Sequence, residues 1–146
     1  MQDEGLIALR LATQLDAPWM ATLLTDEGYP TGPSDIEARL DVFEHPGSWV
    51  IVAEADDEPL GFIAAHLVER MESAAGFVRI VALVVDPGAR ERGVGRRLME
   101  EVERLGQEHG AAFSEITAGH HRPDARRLYE SLDYDPGVTT YLRKRL

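Results

Sequence analysis

Apolar residues recur at helical spacing in four stretches of the chain and in strand-like runs in six, and turn residues separate them. Leu6 to Leu11 reads as a first strand. Thr13 and Asp16 make a capping-box pattern ahead of Leu15, Trp19, Met20, Leu23 and Leu24, which share one helical face. The turn-rich run Gly28-Tyr29-Pro30-Thr31-Gly32-Pro33 ends that helix. Ser34 and Glu37 make a second capping-box pattern before Ile36, Leu40 and Phe43, and Pro46-Gly47 closes the helix pair. A hairpin follows: Trp49 to Ala55 runs out, Asp56-Asp57-Glu58-Pro59 turns, and Leu60 to Glu69 returns.

Phe77 to Val85 is nearly all apolar, as in a strand buried on both faces, and Asp86-Pro87-Gly88 stops it. Val94, Leu98, Val102 and Leu105 then mark a long helix ending near Gly110. Phe113 to Ala118 is a further strand. Pro123 and Asp124 suit a first helical turn, with Ala125, Leu128, Tyr129 and Leu132 on the inner face. Val138 to Leu146 reads as a closing strand. The order β-α-α-β-β-β-α-β-α-β predicts one α/β domain over residues 1–146, a mixed sheet with helices on both faces.

Composition narrows the function classes. With 146 residues the chain has the length of one domain, and no run approaches the ~18 apolar residues of a membrane span. No cysteine is present, which excludes disulfides, thiolate metal sites and a cysteine nucleophile, and no metal is expected. The acidic start Met1-Gln2-Asp3-Glu4 is unlike a signal peptide, so a cytoplasmic protein is expected. A formal net charge of −11 argues against nucleic acid and anionic membranes as partners. It favours cationic small molecules or basic peptides, although such a charge also serves solubility alone.

The charge is uneven. Between Gly88 and Arg97 stand Arg90, Arg92, Arg96 and Arg97 against Glu91 alone. This cationic stretch joins a buried strand to a helix start, where unpaired N–H groups and the helix dipole favour an anion. Gly93 and Gly95 let a ligand approach the backbone. A dinucleotide fingerprint needs a third small residue where Leu98 stands, and it belongs in an opening βαβ unit. A nucleoside-triphosphate loop needs Gly-Lys-Ser/Thr, yet the only lysine is Lys144. A polyanion bound through backbone amides remains.

Arg90-x-x-Gly93-x-Gly95 after Leu83-Val84-Val85 resembles the pyrophosphate-binding motif of the GNAT superfamily of acyl-CoA-dependent N-acetyltransferases. Ala125-Arg126-Arg127-Leu128-Tyr129-Glu130-Ser131-Leu132-Asp133-Tyr134 is similar to that family's later helix. The resemblance implies a GNAT-like fold. It implies transfer of the acetyl group of acetyl-CoA to a primary amine of a small molecule or peptide, by direct attack in a ternary complex. By the same resemblance, amides near Arg92, Gly93, Val94, Gly95 and Arg96, with Arg90, hold the CoA pyrophosphate, and backbone groups of Leu83 and Val85 pair with the pantetheine arm. Tyr129 is the implied acid for the departing thiolate, the alternative being a packed aromatic. The competing function is a non-catalytic acyl-CoA-binding regulatory module.

An alkylammonium has a pKa near ~10, so acetyl transfer needs a base or desolvation. Many family members carry a glutamate where this chain has Arg79. Glu69, His66, His120, His121 or a water chain are the substitutes. Asp133 stands where the family usually has glycine, and aspartate tolerates a left-handed helix end. Asp26, Glu27, Asp35, Glu37 and Asp41 in the helix-pair region would attract a cationic acceptor, or form a solvated face. The acceptor's identity and a homodimeric state stay open at this level.

Overall fold

A computed structural model describes residues 6–117 and 123–146. Its strands are β1 (Ala8–Leu11), β2 (Ser48–Ala55), β3 (Glu58–Val68), β4 (Phe77–Val85) and β5 (Ser114–Ile116). The helices are α1 (Ala17–Asp26), α2 (Pro33–Val42), α3 (Val94–Glu108) and α4 (Pro123–Ser131). The sheet runs β1-β2-β3-β4-β5, antiparallel throughout except for the parallel pair β4–β5. This is the mixed α/β sheet expected from the apolar pattern.

Two cores form, one on each face of the sheet. Leu98, Met99 and Val102 of α3 bury themselves against Ile51, Ile63, Val78 and Ile80. Met20 and Leu23 of α1, with Ile36 and Leu40 of α2, cover Val50, Val52, Phe62 and Val84 on the other face. Alternation along β2 and β3 supplies both faces from the same strands. The first capping box is real: the Thr13 N–H donates to Asp16 Oδ2 at 2.8 Å, and Arg10 bonds both Asp16 oxygens.

Three expectations change. First, the hairpin turn is only Asp56-Asp57, with φ of 53° and 64°, and Glu58 and Pro59 already belong to β3. Two left-handed residues match the twist of the flanking strands, and aspartate tolerates that region. Second, α2 starts at Pro33 behind Gly32, whose N–H donates to Asp35 Oδ2, so Asp35 caps it rather than Ser34 and Glu37.

Third, the closing strand over Val138 to Leu146 does not form, so the observed order ends at α4. Its apolar residues Val138, Leu142 and Leu146 share one strand face, but Thr140 and Lys144 stand between them on that face and Tyr141 points to the other. All four are exposed, and Arg143-Lys144-Arg145 interrupts them.

Candidate active site

The cationic loop begins where β4 ends. Asp86 accepts from the Gly88 N–H at 2.8 Å and shapes a single 3-10 turn over Pro87–Ala89. Arg90 reaches back to Glu27 at the end of α1, at 3.0 Å, and ties the loop to the helix pair. Glu91 (φ 65°) and Gly93 (φ 80°) bend the chain into α3. Gly93 is the N-cap of α3; no side chain caps the helix and its first turn holds no acid. The first turn instead carries Arg96 and Arg97. Unmatched N–H groups, a positive dipole end and added guanidinium charge oppose one another unless an anion sits there. A Cβ built on Gly93 would meet no atom within 4 Å, so the approach is open.

Beside this loop the sheet splays. Parallel pairing joins Val78, Arg79 and Ile80 to Ser114, Glu115 and Ile116, and stops there, while β4 runs on to Val85. Backbone groups of Val81 to Val85 on that side are therefore available to an extended ligand, as in strand addition. The fork coincides with a bulge. Ala64 pairs with Ala82 and Ala65 with Ile80, which leaves Val81 as the extra residue, half exposed. The bulge switches parity: Val78 and Ile80 face α3, yet so do Leu83 and Val85, while Ala82 and Val84 face α1 and α2.

The residues singled out in sequence converge here. At Gly95 an added Cβ would lie 2.9 Å from Leu128 of α4, 3.9 Å from Val85 and 4.0 Å from Leu83. The start of α3, the end of β4 and α4 thus meet around one glycine. Tyr129, next to Leu128, is buried in the α3-side core, its ring 6.4 Å from that of Tyr134. The Tyr134 hydroxyl donates to Glu103 at 2.8 Å and bonds Ser114 at 2.9 Å, which anchors the end of α4 to α3 and β5. Burial pushes the Tyr134 hydroxyl well above the ordinary phenol range, so it stays protonated. Arg96 bonds Ser131 Oγ at 3.2 Å, a second tie between α3 and α4. Asp133 is left-handed, with φ 70°.

The base candidates separate. His120 and His121 lie outside the described residues. Glu69 is exposed just beyond β3. Arg79 is ion-paired with Glu115. His66 sits opposite Arg79 in the β3–β4 ladder and opposite Ser48 in the β2–β3 ladder. Ser48 Oγ lies 2.6 Å from His66 Nδ1 and 2.7 Å from His45 Nε2. Phe43 stacks on the His66 ring at 4.5 Å. Burial, with the nearby His45, lowers the His66 pKa below the usual imidazole value and keeps the ring neutral at pH 7.

Sequence reasoning missed this cluster. A four-residue hairpin turn would place Ser48 opposite Leu67. The two-residue turn and the bulge at Glu54 bring it to His66 instead. Several acids of the helix pair also have structural partners: Glu27 with Arg90, Asp35 with Gly32, and Asp41 with Gln14.

The end of β4, the glycine-led start of α3 and the tethered α4 thus meet at one place in the fold. The chain belongs to the acetyltransferase (GNAT) family, whose profile matches residues 12–134. It is 31% identical over 108 residues to the uncharacterized N-acetyltransferase YhfO of Bacillus subtilis (strain 168), covering 73% of this chain and 70% of that protein. Among solved structures, a transcriptional regulator from Bacillus halodurans C-125 superposes with a TM-score of 0.85 at 23% identity, over 96% of this chain and 99% of the other. A putative acetyltransferase from Agrobacterium tumefaciens str. C58 gives 0.83 at 20% identity, over 94% and 99%. These two likenesses establish the fold.

Proposed function

We propose that the protein transfers the acetyl group of acetyl-CoA to a primary amine of a small molecule or peptide, by direct attack within a ternary complex. The observation that carries this reading is the start of α3. It has glycine at the cap, no capping side chain, arginines in the first turn and open space at Gly93. A pyrophosphate fits that donor set, through the amides of Gly93, Val94, Gly95 and Arg96 with Arg92 alongside. Arg90 has its guanidinium on Glu27, so its part is to set the loop. The free run of β4 with Leu83 and Val85 suits an extended arm beside the pyrophosphate.

Acetyl-CoA supplies an activated acyl group and a thiolate leaving group. The chain's own task is to orient the amine, accept its proton and protonate the sulfur. Tyr129 is the donor in this reading, carried by a helix locked through Tyr134, Glu103 and Ser114. A net charge of −11 favours a cationic acceptor reaching the site as its ammonium.

Release of CoA thiol from acetyl-CoA across a panel of primary amines tests the reading, and a cysteine-free protein adds no thiol background. Release that depends on the amine is the expected result. Tight acetyl-CoA binding with no release on any amine would overturn catalysis in favour of a CoA-sensing module.

A further inference from the structure

We infer that His66 takes the proton from the acceptor ammonium and passes it through Ser48 to His45, and that the acceptor is a primary amine with an apolar body. This deepens the acetyltransferase reading and rests on it. Three arrangements carry it.

The first is a cleft of about 180 Å³ between the helix pair and the sheet. Leu24, Leu40, Phe43, Phe62, Ala64 and the bulged Val81 are among its lining residues, and among the described residues Arg39 is the one charged group in the lining. One of its lining residues, Val81, is the bulge residue just beyond the last β4–β5 pair. Such walls suit an alkyl or aryl group better than a sugar or a polyamine.

The second is the position of His66 behind Phe43, outside the residues that line this cleft. The imidazole is two residues along β3 from Ala64, on the same face, and lies against Phe43, which lines the cleft. The third is the direction of the hydrogen-bond chain. If Nδ1–H donates to Ser48 and the Ser48 hydroxyl donates to His45 Nε2, both bonds are satisfied and Nε2 of His66 is left as an acceptor. His45 is exposed and lines a second, larger cleft of about 270 Å³, with Glu44, Gln14 and Thr13 around it. Around His66 the titratable or charged groups are His45, with Glu44 next to it, and Arg79, itself paired with Glu115.

The protons balance. An ammonium N–H bond breaks and an Nε2–H bond forms on His66. The neutral nitrogen attacks the thioester carbonyl, the C–S bond breaks, and the second proton lost by nitrogen ends on sulfur by way of Tyr129. One proton remains on His66. Its Nδ1 proton moves to Ser48 Oγ, the Ser48 proton moves to His45 Nε2, and His45 releases a proton to water.

Two measurements test this. In the protein without ligands, NMR titration of the imidazoles should show His66 titrating below the ordinary histidine range, with its titration altered in Ser48→Ala. A His66 that titrates like a free histidine and ignores Ser48→Ala overturns the relay. With acetyl-CoA, thiol release is compared for 2-phenylethylamine and its β,β-difluoro analogue, whose amine is far less basic. His66→Gln should cut kcat/KM for the first by on the order of 10²-fold at pH 7 and spare the second, and imidazole should rescue His66→Ala. Equal loss on both amines, or no loss on either, overturns the assignment. Wild-type release with spermidine but not with 2-phenylethylamine overturns the apolar acceptor. Absence of acetyl-CoA binding would instead strike the acetyltransferase reading itself.

Discussion

At the scale of single residues, the proposed function rests first on Gly93 and Tyr129. Gly93 combines φ 80° with empty space where a side chain would lie. A packing role would fill that space, and a cap would use serine or aspartate. Tyr129 is harder to read, because an inner-face tyrosine on an amphipathic helix is ordinary core. Its neighbours support the proposed role: Leu128 packs at the start of α3, and Tyr134 is pinned to Glu103 and Ser114. Tyr129→Phe keeps the ring and its packing. The expected result is a fall of tenfold or more in kcat, on the order of one general-acid contribution, with acetyl-CoA affinity unchanged. Steady-state kinetics beside calorimetry separates the two effects, and full turnover would remove Tyr129 from the chemistry.

At the scale of elements, the long apolar patterns were legible and the register was not. The extent of β4 was readable to the residue, because nine nearly continuous apolar positions end at Asp86-Pro87. The helical repeat of Val94, Leu98 and Val102 likewise located α3. The bulge at Val81 left no sequence signal, since one apolar residue more or less in an apolar run changes no pattern. The cluster around Ser48 depends on register and was lost with it.

Two element-scale outcomes follow from packing. Asp16 is buried, accepts from Thr13 and Arg10, and has its pKa lowered chiefly by the Arg10 hydrogen bonds. A lowered folded pKa means stability that is complete above the unfolded aspartate value of about 3.9 and is lost as pH falls through the folded one. Asp16→Asn should cost about 2 kcal/mol at pH 7 and flatten the acid limb of stability, as urea melts at pH 7 and pH 3 would show. Gly106 lets α3 sit on β4, since an added Cβ would lie 2.6 Å from Val78. Gly106→Val should cost about 1–3 kcal/mol through overpacking, with thermal unfolding as the measure.

For the whole molecule, the acidic surface and the basic loop form one design. A protein at −11 keeps most anions away, while the segment from Gly88 to Arg97 holds four arginines against one glutamate. That contrast was visible in the sequence and pointed to the start of α3, where the proposed pyrophosphate site lies. The failed closing strand shows the limit of such reading. Val138, Leu142 and Leu146 share the parity of a strand face, but Thr140 and Lys144 break that face, and Arg143-Lys144-Arg145 charges the segment. The sheet therefore ends at β5, and the tail stays exposed.

The central claim is that the start of α3 holds the pyrophosphate of an acyl-CoA. Calorimetric titration of acetyl-CoA into the wild type and Gly93→Val tests it most directly, with circular dichroism confirming that both are folded. Valine at a left-handed position strains the loop and puts a branched side chain where the phosphate would approach. One-to-one binding by the wild type and a loss of at least tenfold in the variant is the expected result, and equal affinity in two folded proteins would contradict the account.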